Sequence, residues 1–158
     1  MPVLIKYSDI KGESKLEGFA DFFEVTSIQF GTGRSISASR GTSTREGDTV
    51  SVSEINFTKV SDGTSLKLFE ESLHGELDNT VEIRFVRTGS GNAPVPYMTI
   101  DLEGCGISSY SVSSGGDRPT ENVSLNFDKI KLGYNPIADG LEGSASYYTW
   151  DLATGKGA

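Results

Sequence analysis

Apolar residues in this chain recur at every second position and never gather into a long run. Val3, Ile5 and Tyr7 alternate with Leu4, Lys6 and Ser8; Val81, Ile83 and Phe85 alternate with Glu82 and Arg84; Met98, Ile100 and Leu102 alternate with Thr99, Asp101 and Glu103. A period of two is the strand period, and runs this short exclude a membrane-spanning helix. Val50 and Val52 open a further strand that Ile55 and Phe57 continue on the opposite parity, which predicts a bulge near Glu54. The stretch 121–134 holds Val123, Leu125 and Phe127 at odd positions, then Ile130, Leu132 and Tyr134 at even ones. That shift predicts a second bulge bending one long strand. Tyr148, Trp150 and Leu152 make a last strand. About eight strands at this spacing define a mainly β domain, a sandwich or a barrel.

One segment departs from the pattern. In 64–75 (TSLKLFEESLHG), Leu66, Phe69 and Leu73 fall at i, i+3 and i+7, one face of a short helix over about 64–74. Thr64 or Ser65 suits its start and Gly75 a left-handed stop. Such a helix plugs one end of a barrel or lies against its wall.

Residues 19–30 (FADFFEVTSIQF) carry bulky apolar groups on both parities. Phe19, Phe22, Phe23, Ile28 and Phe30 therefore read as a strand covered twice, by its own core and by a neighbouring subunit. Residues 31–49 (GTGRSISASRGTSTREGDT) read as a long extended loop with almost no apolar anchor, and an ordered domain seldom keeps such a loop without a role. A shorter polar stretch follows at 111–118 (SVSSGGDR).

With 158 residues, the chain fits one domain spanning 1–158. Its 14 basic and 22 acidic residues leave a net charge of −8, which argues against nucleic acid and anionic membranes as partners. The N-terminus has no basic and apolar signal pattern. A lone cysteine, Cys105, excludes an internal disulfide and a cysteine-cluster metal site, and reads as a small buried residue. The lone histidine, His74, is accounted for by its place at a helix end. No G-x-S-x-G elbow and no calcium loop appear, so the residues point to no enzyme, no cofactor and no metal. Asn56-Phe57-Thr58 and Asn122-Val123-Ser124 fit the glycosylation pattern inside strands and read as chance matches.

Several ordered segments go further. Asp9-Ile10-Lys11-Gly12-Glu13-Ser14 follows the first strand, Ile55-Asn56-Phe57-Thr58-Lys59 lies mid-chain, DRPTENVSLNF (117–127) opens the 121–134 run and Tyr134-Asn135-Pro136 ends it. With the final aromatic and Trp150 strand, this set resembles the haemolysin-coregulated protein (Hcp) family, inner-tube subunits of bacterial type VI secretion systems. The likeness runs from about residue 3 to residue 152. It implies a compact β barrel of two packed antiparallel or mixed sheets with one helix; with no toxin domain following Ala158, a plain tube subunit is expected and not a fusion with an enzymatic tail. It implies a homohexameric ring with a wide lumen, rings stacked into a tube, sheath and spike proteins as partners, and small effectors carried in the lumen. It also implies synthesis in the bacterial cytoplasm and export through the machine without a signal peptide. Competing readings are the tail tube of a contractile phage-like particle, which shares the fold, and a ligand-binding β-sandwich module. The family's long loop is often dominated by glycine, whereas here it carries serine, threonine and half of the chain's arginines.

Two site expectations follow. Small, neutral groups suit a channel with varied cargo, so Ser113, Ser114, Gly115 and Gly116 are candidates to face the lumen. The 31–49 loop, through Gly31, Gly33, Arg34, Arg40, Gly41, Arg45 and Glu46, is locally cationic and suited to reach an acidic rim on the next ring. Glu70, Glu71, Glu76 and Asp78, or Asp139 and Glu142, could supply that rim.

Overall fold

Alternating side chains give each strand one face for the core, and the computed structural model shows how two sheets share it. It describes residues 2–36, 47–88, 93–136 and 142–158. Among these the chain runs β1 (Val3–Tyr7), β2 (Phe23–Val25), β3 (Ser27–Gln29), β4 (Thr32–Ile36), β5 (Gly47–Val52), β6 (Ile55–Val60), α1 (Ser65–His74), β7 (Asn79–Arg87), β8 (Val95–Ser113), β9 (Thr120–Asn126), β10 (Lys129–Tyr134), β11 (Ser146–Asp151) and β12 (Lys156–Gly157). The first sheet is ordered β12-β11-β10-β8-β7-β1-β2 and the second β3-β6-β9-β8, antiparallel throughout. Ile5, Phe23, Ile83 and Ile100 from the first meet Ile55, Phe57, Val123 and Leu125 from the second in one core. The sheets pack and share β8, and among the described residues their ladders do not close into a continuous barrel.

Two corners join them. β8 pairs with β7 and β10 in its first half and with β9 in its second, turning between them at Gly104, where φ is +63°. There Asp128 donates its N–H to the Glu103 carbonyl at 3.0 Å. Residues 127–128 are the break between β9 and β10. The parity shift in 121–134 is thus a change of sheet, with two irregular residues turning the corner so that both strands keep their apolar side inward. At the other corner, the Thr26 N–H and hydroxyl both reach the Thr58 carbonyl, at 2.7 and 2.9 Å, as the chain passes from β2 to β3.

The expected bulge near Glu54 has a similar origin. β6 pairs with β3 and β9, whereas β5 pairs with β4. Ser53 N–H bonds the Gly31 carbonyl at 2.8 Å and its hydroxyl accepts from Gly31 N–H at 2.7 Å. Strands β3–β4 and β5–β6 therefore form one long kinked hairpin, and the flanks of the expected 31–49 loop are strands. Both faces of β4 are exposed, which is why no alternation marked it.

Two further expectations change. Residues 19–30 are not one strand. Phe19 and Phe22 meet edge to face at 5.2 Å and cover Leu4 and Val86 on the outside of the first sheet, while Phe23 enters the core beside Phe57. The helix turns Leu68 inward, fully buried, and leaves Leu66, Phe69 and Leu73 exposed. Its rotation is set by its polar start: Thr64 N–H bonds Asp62 Oδ1 at 2.8 Å, and Asp62 N–H bonds the Ser65 hydroxyl at 3.0 Å. Gly75 ends the helix in extended backbone, not the expected left-handed one, and the position suits glycine because a side chain there would strike Glu71.

Gly104→Ala should lower stability by about 1–2 kcal/mol, because an alanine at this positive φ is strained and its methyl meets the Asp128 carboxylate. Urea denaturation of the pair of proteins measures it.

Candidate functional site

The second sheet turns an unusual face outward. Register places Gln29, Asn56, Ser124 and Ser109 in one row across β3, β6, β9 and β8, and Ser27, Thr58, Asn122 and Ser111 in the next. A third row holds Val60, Thr120 and Ser113. None of these side chains is charged, in a chain where charged residues make up 23%. An antiparallel sheet with one wet face needs polar residues there but not neutral ones. The first sheet shows the ordinary solution. Its outer face carries Lys6, Glu82, Asp101 and Lys131 across four strands, with Arg84 paired to Asp101 at 2.9 Å.

The neutral rows satisfy one another. Thr58 Oγ1 donates to Asn122 Oδ1 at 2.7 Å, and the Ser124 hydroxyl donates to Asn56 Oδ1. Cross-strand bonds of this kind hold the amides in place through their oxygens. The face is polar and carries no charge in these rows.

Behind it lies a buried ion cluster. Lys59 is wholly buried, and its Nζ lies 2.9 Å from both Glu121 and Asp62 and over the Phe23 ring. Tyr110 donates its hydroxyl to the other Glu121 oxygen. Burial works against the Glu121 charge, but bonds from Tyr110, Lys59 and Ser65 and the Lys59 charge outweigh it and hold the carboxyl below its usual range. Asp62 is held low likewise: bonds from Thr64 and Lys59 overcome its desolvation. Burial first, then the Glu121 bond, pushes the Tyr110 phenol up. The cluster ties β6, β9, β8 and the helix start together.

The expected site residues are dispersed. Ser113 lies on the neutral face, and Ser114, Gly115 and Gly116 form the exposed turn at its end, where the Ser114 hydroxyl bonds the Asp117 carbonyl at 2.9 Å. Gly33 and Arg34 are exposed in β4 and Gly31 just before it, whereas Arg40, Gly41, Arg45, Glu46 and Asp139 lie outside the described residues. Glu70, Glu76, Asp78 and Glu142 are exposed, and Glu71 is partly buried against Gly75. Of the apolar set, Phe19, Phe22 and Phe23 are buried within the protein's own structure and offer no surface to a neighbour. Ile28 packs onto the core, and Phe30 lines an apolar cleft of about 230 Å³ with Val50, Leu132 and Tyr148. The neutral rows went unnoticed in the sequence, although both N-x-S/T matches fall on them. Asn56, Thr58, Asn122 and Ser124 share one parity on adjacent strands.

The larger groove, about 690 Å³, lies beside the β2–β3 corner. Two of its acids are engaged: Glu13 accepts the Gly63 N–H at 3.1 Å, and Asp62 holds Lys59. Cys105 is buried in the core and its thiol is pushed up to about 12 by desolvation, which makes it a poor nucleophile. Among the described residues, no cluster of three or more His, Cys, Asp or Glu side chains is placed to hold a metal, and no helix is long and apolar enough to cross a membrane.

Comparison with known proteins agrees with this architecture. A solved type six secretion system protein superposes with a TM-score of 0.87 at 23% identity, covering 99% of each chain. The crystal structure of Hcp1 from Salmonella typhimurium gives 0.79 at 20% identity, over 99% of this chain and 98% of that one. The fold is therefore that of type VI secretion proteins. Residues 4–134 match the family model described as type VI secretion system effector, Hcp. Protein hcp1 of Pseudomonas aeruginosa is 33% identical over 154 residues, covering 95% of this chain and 94% of the relative. This chain belongs to the Hcp family, a structural and secreted tube-protein family of the type VI system.

The ion cluster predicts an acid response. Both carboxyls have folded-state values below their unfolded ones, so their contribution is present above the ordinary carboxylate range of about 4 and is lost as pH falls through the lower, folded values. Urea midpoints between about pH 6 and pH 2 should fall steeply in the native protein and less steeply in Lys59→Met/Glu121→Leu. Glu121→Leu alone should cost about 3–5 kcal/mol, since it strips the buried ammonium of its deeper partner.

Proposed function

We propose that residues 1–158 act as one tube subunit that assembles into a homohexameric ring, with the neutral face of the second sheet lining the lumen. The observation that carries this reading is the pairing of that face with two edges. Among the described residues β3 pairs only with β6, and the second half of β8 only with β9. Two different edges on one sheet suit a head-to-tail contact, and a head-to-tail contact that closes makes a ring. A continuous inner wall of serine, threonine and amide groups would let protein cargo enter and leave without binding any one charge pattern tightly. Ser113, Ser114, Gly115 and Gly116 would stand at its rim. Effectors in the lumen, together with sheath and spike proteins outside, would be the partners, and export would follow the machine rather than a signal peptide.

Stacking of rings is the second part of the proposal. The β4–β5 hairpin projects from the second sheet with Arg34 exposed along it, and Arg40 and Arg45 lie between its strands in sequence. Glu70, Glu76 and Asp78 at the helix end offer the opposite charge. Exposed pairs contribute about 0.2–1 kcal/mol each, and six copies would make that cooperative and sensitive to salt.

Light scattering at micromolar concentration should show six chains per particle, and a monomer at every salt concentration would refute the ring. Asn122→Lys should leave the ring intact and reduce retention of co-expressed effectors, as should a bulky residue at Ser114. Unchanged retention in both would remove the lumen assignment. An Arg34→Ala/Arg40→Ala/Arg45→Ala variant should keep its hexamers yet form fewer stacked tubes by electron microscopy at low salt, with the difference from the native protein narrowing at high salt, which screens the native pairs too.

A further inference from the structure

The helix has little of its own to hold it in place. Of its ten residues only Leu68 is buried. Isolated helices shorter than about 12–15 residues are marginal in water. Its first turn contains no acid to meet the helix dipole, and the Thr64 side chain makes no capping bond. Two carboxylates from outside the helix take both parts. Asp62, in the loop before it, accepts the Thr64 N–H at 2.8 Å, and Glu121, on β9, accepts the Ser65 hydroxyl. Lys59 fixes both acids, with its Nζ 2.9 Å from each. The far end is tied without charge. There the Asn79 amide donates to the carbonyls of Glu76 and Cys105, at 2.6 and 3.1 Å, and to the Tyr7 hydroxyl at 3.2 Å. The ladders of both sheets run without the helix.

We propose that α1 is an acid-released element: when Glu121 and Asp62 take up protons its start leaves the sheets and the helix melts, while both sheets stay folded and Asn79 keeps the far end tethered. Segments that open first are those with the fewest buried apolar contacts, and α1 has a single buried side chain. Protonating either acid also leaves a wholly buried ammonium short of a partner, a heavy cost away from water. Both acids sit below their unfolded values in the folded protein. Their support is therefore present above the ordinary carboxylate range of about 4 and is lost as pH falls through the lower, folded values. Release would uncover Leu68 and the side of Tyr110 that Phe69 meets at 5.8 Å.

Among the described residues, the charged and titratable groups around this anchor come from every element packed there. Lys59 belongs to β6, Tyr110 to β8 and Glu121 to β9. The Tyr110 phenol, pushed up by burial, stays neutral throughout the acid range. Glu13 accepts the Gly63 N–H at 3.1 Å, and Arg118 donates its Nε to the Ser61 carbonyl at 2.7 Å, so both border the same loop. On the helix, Lys67 and His74 each lie 3.7 Å from Glu70 on the exposed side, and Glu71 lies against Gly75. Only Asp62 and Glu121 bond both the helix start and the buried ammonium.

Hydrogen exchange of the full chain, read by mass spectrometry and corrected for the intrinsic rate at each pH, tests the proposal. Between about pH 6 and pH 3, protection over 66–74 should fall roughly tenfold or more beyond any loss in Val81–Val86 and Ile100–Leu102. Trp150 emission, which reports on the first sheet, should hold steady while helix protection is lost. The loss should be the same at low and high protein concentration, which separates it from dissociation of an assembly. Asp62→Asn and Glu121→Gln should each flatten the pH dependence of the helix, and His74→Gln should leave it unchanged. Lys59→Met/Asp62→Asn/Glu121→Gln should reduce the change to less than about threefold; if that variant does not fold, the single variants decide. Joint loss of protection in helix and strands, an unflattened dependence in either single variant, a loss that His74→Gln removes, or one that depends on concentration would overturn the proposal.

Discussion

A buried ammonium organises one end of this protein. Lys59 comes from a strand whose other inward residues are Ile55 and Phe57, so its charge enters the core where the apolar layer ends. Left alone there it would be costly, and the structure surrounds it with Glu121 from the adjacent strand and Asp62 from the loop before the helix. Asp62 in turn holds Thr64, Glu121 holds Tyr110, and Tyr110 meets Phe69. The position and rotation of the helix follow from charges it does not itself carry.

That dependence explains what the sequence could and could not tell. Alternation revealed the strands because a half-buried strand has no other way to be written. The helix was legible from Leu66, Phe69 and Leu73, but its orientation was not. Three apolar residues on one face suggest the core side until one knows that Lys59 and Glu121, 62 positions apart, fix the helix start. The parity shifts at 52–55 and 127–130 were visible too, and a bulge and a change of sheet leave the same mark in a sequence. Strand β4 was invisible because neither of its faces is buried. The neutral rows were invisible for a different reason. Single serines and asparagines at alternate positions are ordinary; what matters is their alignment over four strands, and register is not written in any one of them.

The two outer faces then divide the work of a β domain unequally. The first sheet carries the acids and bases, paired across strands as Arg84 is with Asp101 and Lys129 with Glu103. The second carries almost none, although nothing in its packing forbids them. A surface kept free of charge over its full width is a constraint from outside the fold. In the proposed ring that constraint is the lumen, where a charged wall would hold cargo of opposite sign and repel the rest.

Edges give the same asymmetry. An exposed strand edge invites pairing with other chains, and natural proteins blunt it with charge, proline or very short strands. The first sheet does so: its outermost strand is Lys156–Gly157, and β2 at its other end carries Glu24. The second sheet places Ser27, Ile28 and Gln29 at one edge and Ser108 to Ser113 at the other, with neither charge nor proline in either stretch. The β8 bulge between Ile107 and Ser109 adds local twist but leaves five residues beyond it in register with β9. Edges left open in this way are a hazard for a monomer and a requirement for a subunit. Among the described residues, the same sheet that lacks charge on its face lacks protection on its sides, and in the proposed ring assembly through those sides would make both features useful at once.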